Sequence, residues 1–408
     1  MTTSLFPSPT EEARNLMENL PRLVDKLFPI PSQYRFRLKK DVAELSRLLT
    51  ESRGERPGAY LNTGAALSAY LRYFLPWNVY RLVRLLPALP LSLKDGDSVT
   101  DLGSGPLTVP IALWIARPDL RGLELEFRCV DQTAKVLDAG LKLFSALSHG
   151  GDAAWTIKTI RADIRENHSR RPSPPAAKSA LVCAVNVYNE LFWKIPHTDH
   201  FSLEEEALRE GRRLDALAAP GGSILVVEPG VPRSGEFIAS LRAALGSVGR
   251  GTSAPCTHSG DCPWPGGKEQ GKQKWCHFAF SSGDAPKKLK DLSALSGIPK
   301  ERAVLSFLLT GAGEITPSPA GNSIPVRVMS DAFPVKGAWG GALNQRGGAL
   351  NQRGGALYGR YGCSPLGTVL LSGSGTALNA VPAGTLLHLP PPEKKTRDPK
   401  SGALVFVI

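Results

Sequence analysis

Asp101-Leu102-Gly103-Ser104-Gly105-Pro106-Leu107-Thr108 closes one short apolar run and opens another. Glycines at such a junction let the backbone approach a ligand closely, and the helix that follows offers unpaired N–H groups. A full dinucleotide fingerprint is missing, because position 108 is threonine. An acid directly before the glycines, Asp101, suits S-adenosylmethionine better than a pyrophosphate. That ligand presents a cationic amino-acid end, which carboxylates and carbonyls can meet.

Outward from this junction, strands and helices alternate. The pattern predicts strands over 98–102, 125–131, 155–163 and 221–230, and an apolar strand with a polar end over 179–191. Helices are predicted over 107–117, 132–147, 203–217 and 235–246, with a Pro/Arg-rich loop at 166–178. This alternation implies a doubly wound, mostly parallel α/β sheet of the Rossmann-like kind. In that topology successive strand ends converge on one crevice. Asp131 ends the second strand, where an acid accepts from ribose hydroxyls, and Asp163 ends the third, near an adenine amino group. The candidate cofactor set is therefore Asp101, Gly103, Gly105, Asp131, Asp163 and Asn186.

Catalytic candidates are sparse. Methyl transfer from a sulfonium needs in-line positioning more than acid–base groups. The fourth strand ends in Asn186-Val187-Tyr188-Asn189-Glu190, without the Asn/Asp-Pro-Pro-Tyr motif of amide-nitrogen methylation. A Pro-Cys nucleophile is also absent. Asn186 and Glu190 either position a base or bind cofactor and cap the next helix.

The flanks divide the chain further. Residues 1–93 read as a helical region, 94–250 as the methyltransferase-like core, 251–300 as a cysteine-rich loop and 301–408 as late strands with a C-terminal segment. Late strands are expected at 303–311 and 367–373, with one more at the tail. Between them GGALNQRGGALNQRGGAL (340–357) reads as a flexible low-complexity insertion.

Cys256, Cys262 and Cys276 follow a C-x5-C-x13-C spacing, and Cys363 comes after 86 intervening residues. Clustered thiols in a reducing compartment usually hold a metal or a cluster; four thiolates suit zinc or an iron–sulfur cubane. His258 and His277 leave a mixed Cys/His zinc site open. Cys129 and Cys183 sit inside apolar strands and read as small buried hydrophobes.

The net charge of +12 over 408 residues favours an anionic partner, with nucleic acid first. No apolar run is long enough for a membrane helix, so no membrane partner is expected. The start, with Glu11 and Glu12 and no apolar core segment, resembles neither a secretory signal nor a mitochondrial presequence; a bacterial cytoplasm is expected, ahead of a mitochondrial matrix. Oligomeric state is not written in these features.

Together these residues resemble a family: the methyltransferase-like proteins of small-ribosomal-subunit assembly, found in mitochondria and many bacteria. The resemblance rests on AYLRYFLPWNVYR, DLGSGP, VYNEL, VEPG, CTHSGDCPW, WCHF and IPKERAVLSFLL, and spans about 40 to 310. It implies a class I S-adenosylmethionine-dependent methyltransferase fold, with an N-terminal helical region and a cysteine-rich insertion. It implies binding to small-subunit rRNA and a structural [4Fe–4S] cluster, with Cys256, Cys262 and Cys276 as three ligands and Cys363 as the natural fourth. Some members of the family act without methylating, so an assembly factor and an active rRNA methyltransferase are both implied. A zinc-containing small-molecule methyltransferase is the reading outside the family.

Charge and aromatic content suggest where RNA would lie. Arg72, Arg81 and Arg84 alternate with Tyr73, Trp77 and Tyr80, and Lys268, Lys272 and Lys274 form a second basic patch. Arginines meet phosphates and aromatics stack on unpaired bases, although the same pattern also fits an amphipathic helix with core aromatics.

Overall fold

The computed structural model describes residues 3–51, 60–148, 154–164, 178–196, 198–266, 274–312, 323–335, 357–392 and 395–408. Residues 166–177 of the Pro/Arg-rich loop, Lys268, Lys272 and the glycine-rich repeat up to residue 356 lie outside them.

Around Asp101 the chain builds one twisted sheet. Strand Ser98–Leu102 is central, with Leu125–Asp131 and then Trp155–Arg161 on one side, all parallel. On its other side come Ser179–Val185 and Ala218–Pro229, also parallel. Strand order therefore reverses between Ser98–Leu102 and Ser179–Val185, which opens a crevice at their carboxyl ends. Arg302–Ala312 then runs antiparallel beside Ala218–Pro229, with Arg250–Ala254 and Phe278–Ser281 both antiparallel to it.

Alternation within these strands fills both faces. Val99, Phe127, Cys129, Leu181, Cys183 and Leu225 join a core with helices Thr108–Ala116 and Ala134–Leu147. Leu102, Val182, Ala184, Ile224 and Val226 join a second core with helices His200–Leu217 and Pro232–Ser247. A sheet buried on both faces needs the near-continuous apolar strands the sequence shows. Cys129 and Cys183 are fully buried in it.

The helical region packs on the first of these faces. Helix Glu11–Leu27 starts at Thr10, whose side chain accepts from Ala13 N at 3.2 Å, with Glu11 and Glu12 in its first turn. Gly64–Ala69 and Leu75–Leu85 form one continuous rod, joined by a π-helical turn at Tyr70–Phe74.

The sheet extends beyond the expected core boundary at 250. Arg302–Ala312, expected among the late strands, lies inside this sheet, because its apolar run pairs residue for residue with Ile224–Pro229. Gly367–Ser374 belongs to a different sheet, in the order Thr3–Ser4, Thr385–Leu389, Ile324–Val328, Leu357–Ser364, Gly367–Ser374, Leu404–Val407. Val326, Val328, Val369, Leu371 and Phe406 form its core. The cysteine-rich loop therefore leaves one strand of the first sheet, Arg250–Ala254, and returns to it at Phe278–Ser281. Among the described residues no helix is long and apolar enough to cross a membrane.

Candidate functional site

The crevice holds a cavity of about 320 Å³ lined by Gly103, Gly105, Asp131, Asp163, Asn186 and Glu190, among others. Gly103 and Gly105 have φ of 67° and 54°. A Cβ on Gly103 would lie 2.5 Å from Val187 Cγ2, so the loop closes on its neighbour only without a side chain. Leu107 and Asn186 also take left-handed backbone, at φ 58° and 56°. Leu107 thus occupies the conformation that a glycine would take freely, and starts helix Thr108–Ala116 with its side chain fully buried.

Asp131 shapes the loop. Its carboxylate accepts from Gly105 N at 3.0 Å and from Thr133 N at 2.8 Å. Burial raises its pKa, while the N–H groups of Thr133, Gly105 and Gln132 oppose the rise. Asp163 lines the cavity two residues beyond the end of strand Trp155–Arg161. Asp101 does not line it. It stands in register between Cys129 and Cys183, fully buried below the glycine loop. Burial pushes its carboxyl up to about 7, Ser104 eases the rise and the Asp131 charge adds to it. Among the described residues no donor meets either Asp101 oxygen in hydrogen-bonding geometry. Asp101 is thus a group under the floor, where direct ligand contact was expected.

The cavity carries three carboxylates, Asp131, Asp163 and Glu190, against one lysine, Lys194. That balance fits a cationic ligand with ribose hydroxyls, and opposes a pyrophosphate. The donor set therefore fits S-adenosylmethionine.

Sequence reasoning missed two supports of this site. Tyr60, Leu61 and Tyr70 from the helical region form one wall, and Tyr60 OH donates to Glu190 Oε1 at 3.5 Å. Tyr70 opens the π-helical turn, a break in helix period common at functional sites. Glu228 is the second. It is 1% exposed, and accepts from Val187 N at 3.0 Å, Tyr188 N at 2.8 Å and Asn189 N at 3.1 Å. Burial pushes its carboxyl up to about 8 against the pull of those three donors. Glu228 thereby fixes the segment that carries Asn186 and Glu190. VEPG was a visible motif, but its role needed the fold.

The cysteines also converge. Cys256, Cys262, Cys276 and Cys363 line one small pocket with His258 and Arg327. Cys256 follows Arg250–Ala254, Cys276 precedes Phe278–Ser281, and Cys363 lies in Leu357–Ser364 of the second sheet. Burial raises all four thiols, with Cys262 pushed up to about 11. Thiolate charge on neighbouring cysteines adds to the rise at Cys262, Cys276 and Cys363. Arg242 pulls all four down. Its guanidinium donates to His258 O at 2.8 Å and Gly260 O at 2.7 Å. Arg327 donates to Pro255 O at 3.1 Å and is paired in register with Cys363. Four thiols flanked by two buried cations suit a net-anionic cluster, whose binding would displace the thiol protons. His258 Nε2 lies 3.4 Å from Cys363 Sγ. His277 stacks on Trp275 and does not line the pocket. Among the described residues, no three His, Cys, Asp or Glu side chains meet closely enough to share one metal ion.

The expected RNA surface is corrected. Arg72 and Arg84 are 7% and 8% exposed, and Tyr73, Trp77 and Tyr80 are buried. Arg72 donates to Asp25 at 3.1 Å and Ser68 at 3.0 Å. Arg84 donates to Pro7 O at 2.9 Å, Phe6 O at 3.1 Å and Asp284 at 3.0 Å. Arg81 donates to Asn78 at 2.7 Å, and its Nε is buried. Arg72 and Arg84 tie separate segments together, because a buried guanidinium is best satisfied internally, whereas the Arg81 bond stays within its own helix. Lys274, half-buried, lies over the Tyr361 ring at 5.3 Å.

Solved structures with a similar arrangement include a methyltransferase from Pyrococcus furiosus at 8% identity, covering 54% of this chain and 78% of that one, with a TM-score of 0.31. Two S-adenosylmethionine-dependent methyltransferases were solved in complex with S-adenosyl-L-homocysteine. The one from Geobacter sulfurreducens is 13% identical, covers 57% and 90%, and has a TM-score of 0.32. That from Thiobacillus denitrificans is 14% identical, covers 57% and 91%, and has a TM-score of 0.31. Comparison with curated protein sequences gave no match. The strand order around the crevice is that of a doubly wound, Rossmann-like α/β sheet, with the switch point between Ser98–Leu102 and Ser179–Val185. Just over half of the chain, residues 98–317, matches the family described as mitochondrial small ribosomal subunit Rsm22, and the protein belongs to that family.

Proposed function

We infer that this protein is an rRNA-binding assembly factor of the small ribosomal subunit, with S-adenosylmethionine in its cleft and a structural [4Fe–4S] cluster in its cysteine pocket. The observation that carries this reading is the convergence of Cys256, Cys262, Cys276 and Cys363 on one pocket at the meeting of the two sheets. A cluster there would bond the inserted loop to the C-terminal sheet, a cross-link between segments far apart in sequence. The family description, mitochondrial small ribosomal subunit, supports the small subunit as the partner, and the net charge of +12 agrees with an RNA surface.

In the cleft, S-adenosylmethionine would supply an electrophilic methyl group. The chain's own part would be positioning: Asp131 and Asp163 would meet the ribose and adenine, and Glu228 holds Val187–Asn189, the segment between Asn186 and Glu190 on the cavity wall. Anaerobic purification tests the reading. Brown protein with iron and sulfide that co-sediments with small-subunit precursors supports it. Zinc in place of iron, or no affinity for these particles, sinks it.

A second reading, an active rRNA methyltransferase, is favoured by the acidic cleft with Asn186 and Glu190 on its wall. It expects a methyl group missing from small-subunit rRNA in a deletion strain, and an unchanged modification map rules it out.

A further inference from the structure

With Arg72 and Arg84 turned inward, the exposed aromatics lie elsewhere. Ser32–Arg37 forms a short 3-10 turn, Ser-Gln-Tyr-Arg-Phe-Arg, leading into helix Leu38–Thr50. Tyr34 is 51% exposed and Phe36 is 68% exposed. Arg35, Arg37, Lys39 and Lys40 beside them are exposed as well. Arg35 donates to Ile30 O at 3.3 Å. Arg37, Lys39 and Lys40 have no ion-pair partner among the described residues. Nearby acids are mostly engaged: Glu44 holds Arg47, and Asp25 holds Arg72 and Lys288, leaving Asp41. Tyr34 and Arg37, one 3-10 turn apart, both line a groove of about 530 Å³ together with Pro29, Ile30, Leu67 and Leu71, and with the Asp41 carboxylate.

We propose that this turn and groove form a stacking platform for a single-stranded segment of RNA. The proposal rests on the rRNA-binding reading above and names its surface. Flat rings interleaved with unpaired cations match alternating bases and phosphates. A bilayer would instead select a continuous apolar face, and Arg35 and Arg37 interrupt the one here. The site is also well placed. Helix Gly64–Ala69 and the turn after it supply Leu67 and Leu71 to the groove and Tyr70 to the cofactor cleft, so the two share a wall. A strand on the platform lies one helix away from the cleft.

The test uses the full chain with labelled single-stranded oligouridine, a duplex of equal length, and phosphatidylserine/phosphatidylcholine vesicles. The single strand is expected to bind more tightly than the duplex. Tyr34→Ala and Phe36→Ala should each weaken it about ten-fold, with thermal unfolding unchanged because both rings are exposed. Phe36→Leu should also lose affinity, since it keeps apolar area but not the flat ring. Lys39→Ala with Lys40→Ala should lower the slope of log affinity against log salt by roughly 0.7 for each phosphate contact removed. Single-strand binding that ignores both aromatic substitutions overturns the platform and leaves the rRNA reading standing. Wild-type protein that binds no RNA overturns both. Vesicle binding that survives Phe36→Leu but not Phe36→Ala assigns the surface to membranes and overturns the platform.

Discussion

Glu228→Gln puts a number on the buried support of the cleft. Wild-type Glu228 is ordinary at 4.5 in the unfolded chain and is pushed up to about 8 by burial. The folded state therefore holds a proton that the unfolded state releases as pH rises past 4.5. Stability from this group is complete below that value and is lost as pH climbs toward 8. The slope is about 1.4 kcal/mol per pH unit, which sums to about 5 kcal/mol over the interval of about 3.5 units. Glutamine cannot ionise, so the variant lacks this decline. Its amide oxygen can still accept from Val187 and Tyr188, but its NH2 group faces Asn189 N and loses that bond, at about 1 kcal/mol. Wild type should thus be slightly more stable at pH 5, and the variant more stable by roughly 4 kcal/mol at pH 9, with the curves crossing between. Asp101, pushed up to about 7, titrates in both proteins and cancels in the difference. Urea unfolding over a pH series at fixed ionic strength measures this. A difference independent of pH, or a wild-type advantage that grows with pH, refutes the reasoning.

Other outcomes follow from the same geometry. Cys363→Ser should lower iron retention as severely as Cys256→Ser, read from iron content and visible absorbance; near-normal iron in Cys363→Ser would move the fourth ligand elsewhere, with His258 next. Gly140→Ala would place a Cβ 2.5 Å from the Pro106 carbonyl carbon and 2.6 Å from Leu107 Cγ. It should cost about 1–3 kcal/mol and weaken S-adenosylmethionine binding in calorimetry, because the displaced atoms belong to the cofactor loop. Leu107→Gly relieves left-handed strain of about 1 kcal/mol and empties a fully buried site costing about 2–5 kcal/mol, so melting should fall. Asp131→Ala should abolish S-adenosylmethionine binding, since it removes both a carboxylate of the cleft and the partner of Gly105 N and Thr133 N; unchanged affinity would remove Asp131 from the site.

What was legible in the chain follows from the range of each interaction. Strands 98–102 and 125–131 were readable to the residue, because a strand buried on both faces leaves a local apolar run bounded by turn residues. Gly103 and Gly105 were readable because left-handed backbone restricts residue type locally. Guanidinium direction was not readable. Arg72 and Arg84 look like surface cations in sequence, and only Asp25, Asp284 and the carbonyls of Phe6 and Pro7, distant in the chain, decide that they turn inward. Tyr34 and Phe36 carry no local mark of their exposure in the sequence, and only the fold shows both rings turned outward.

The sequence by itself determined the α/β alternation, the glycine junction at Asp101–Thr108 and the set of thiols. Each depends on backbone conformation or residue chemistry within a few positions. Tertiary structure alone decided that Asp101 lies under the floor while Asp131 shapes the loop, that Glu228 clamps Val187–Asn189, and that Cys363 reaches Cys256 from another sheet. Those are long-range pairings, fixed by how the sheets pack, and no local pattern records them.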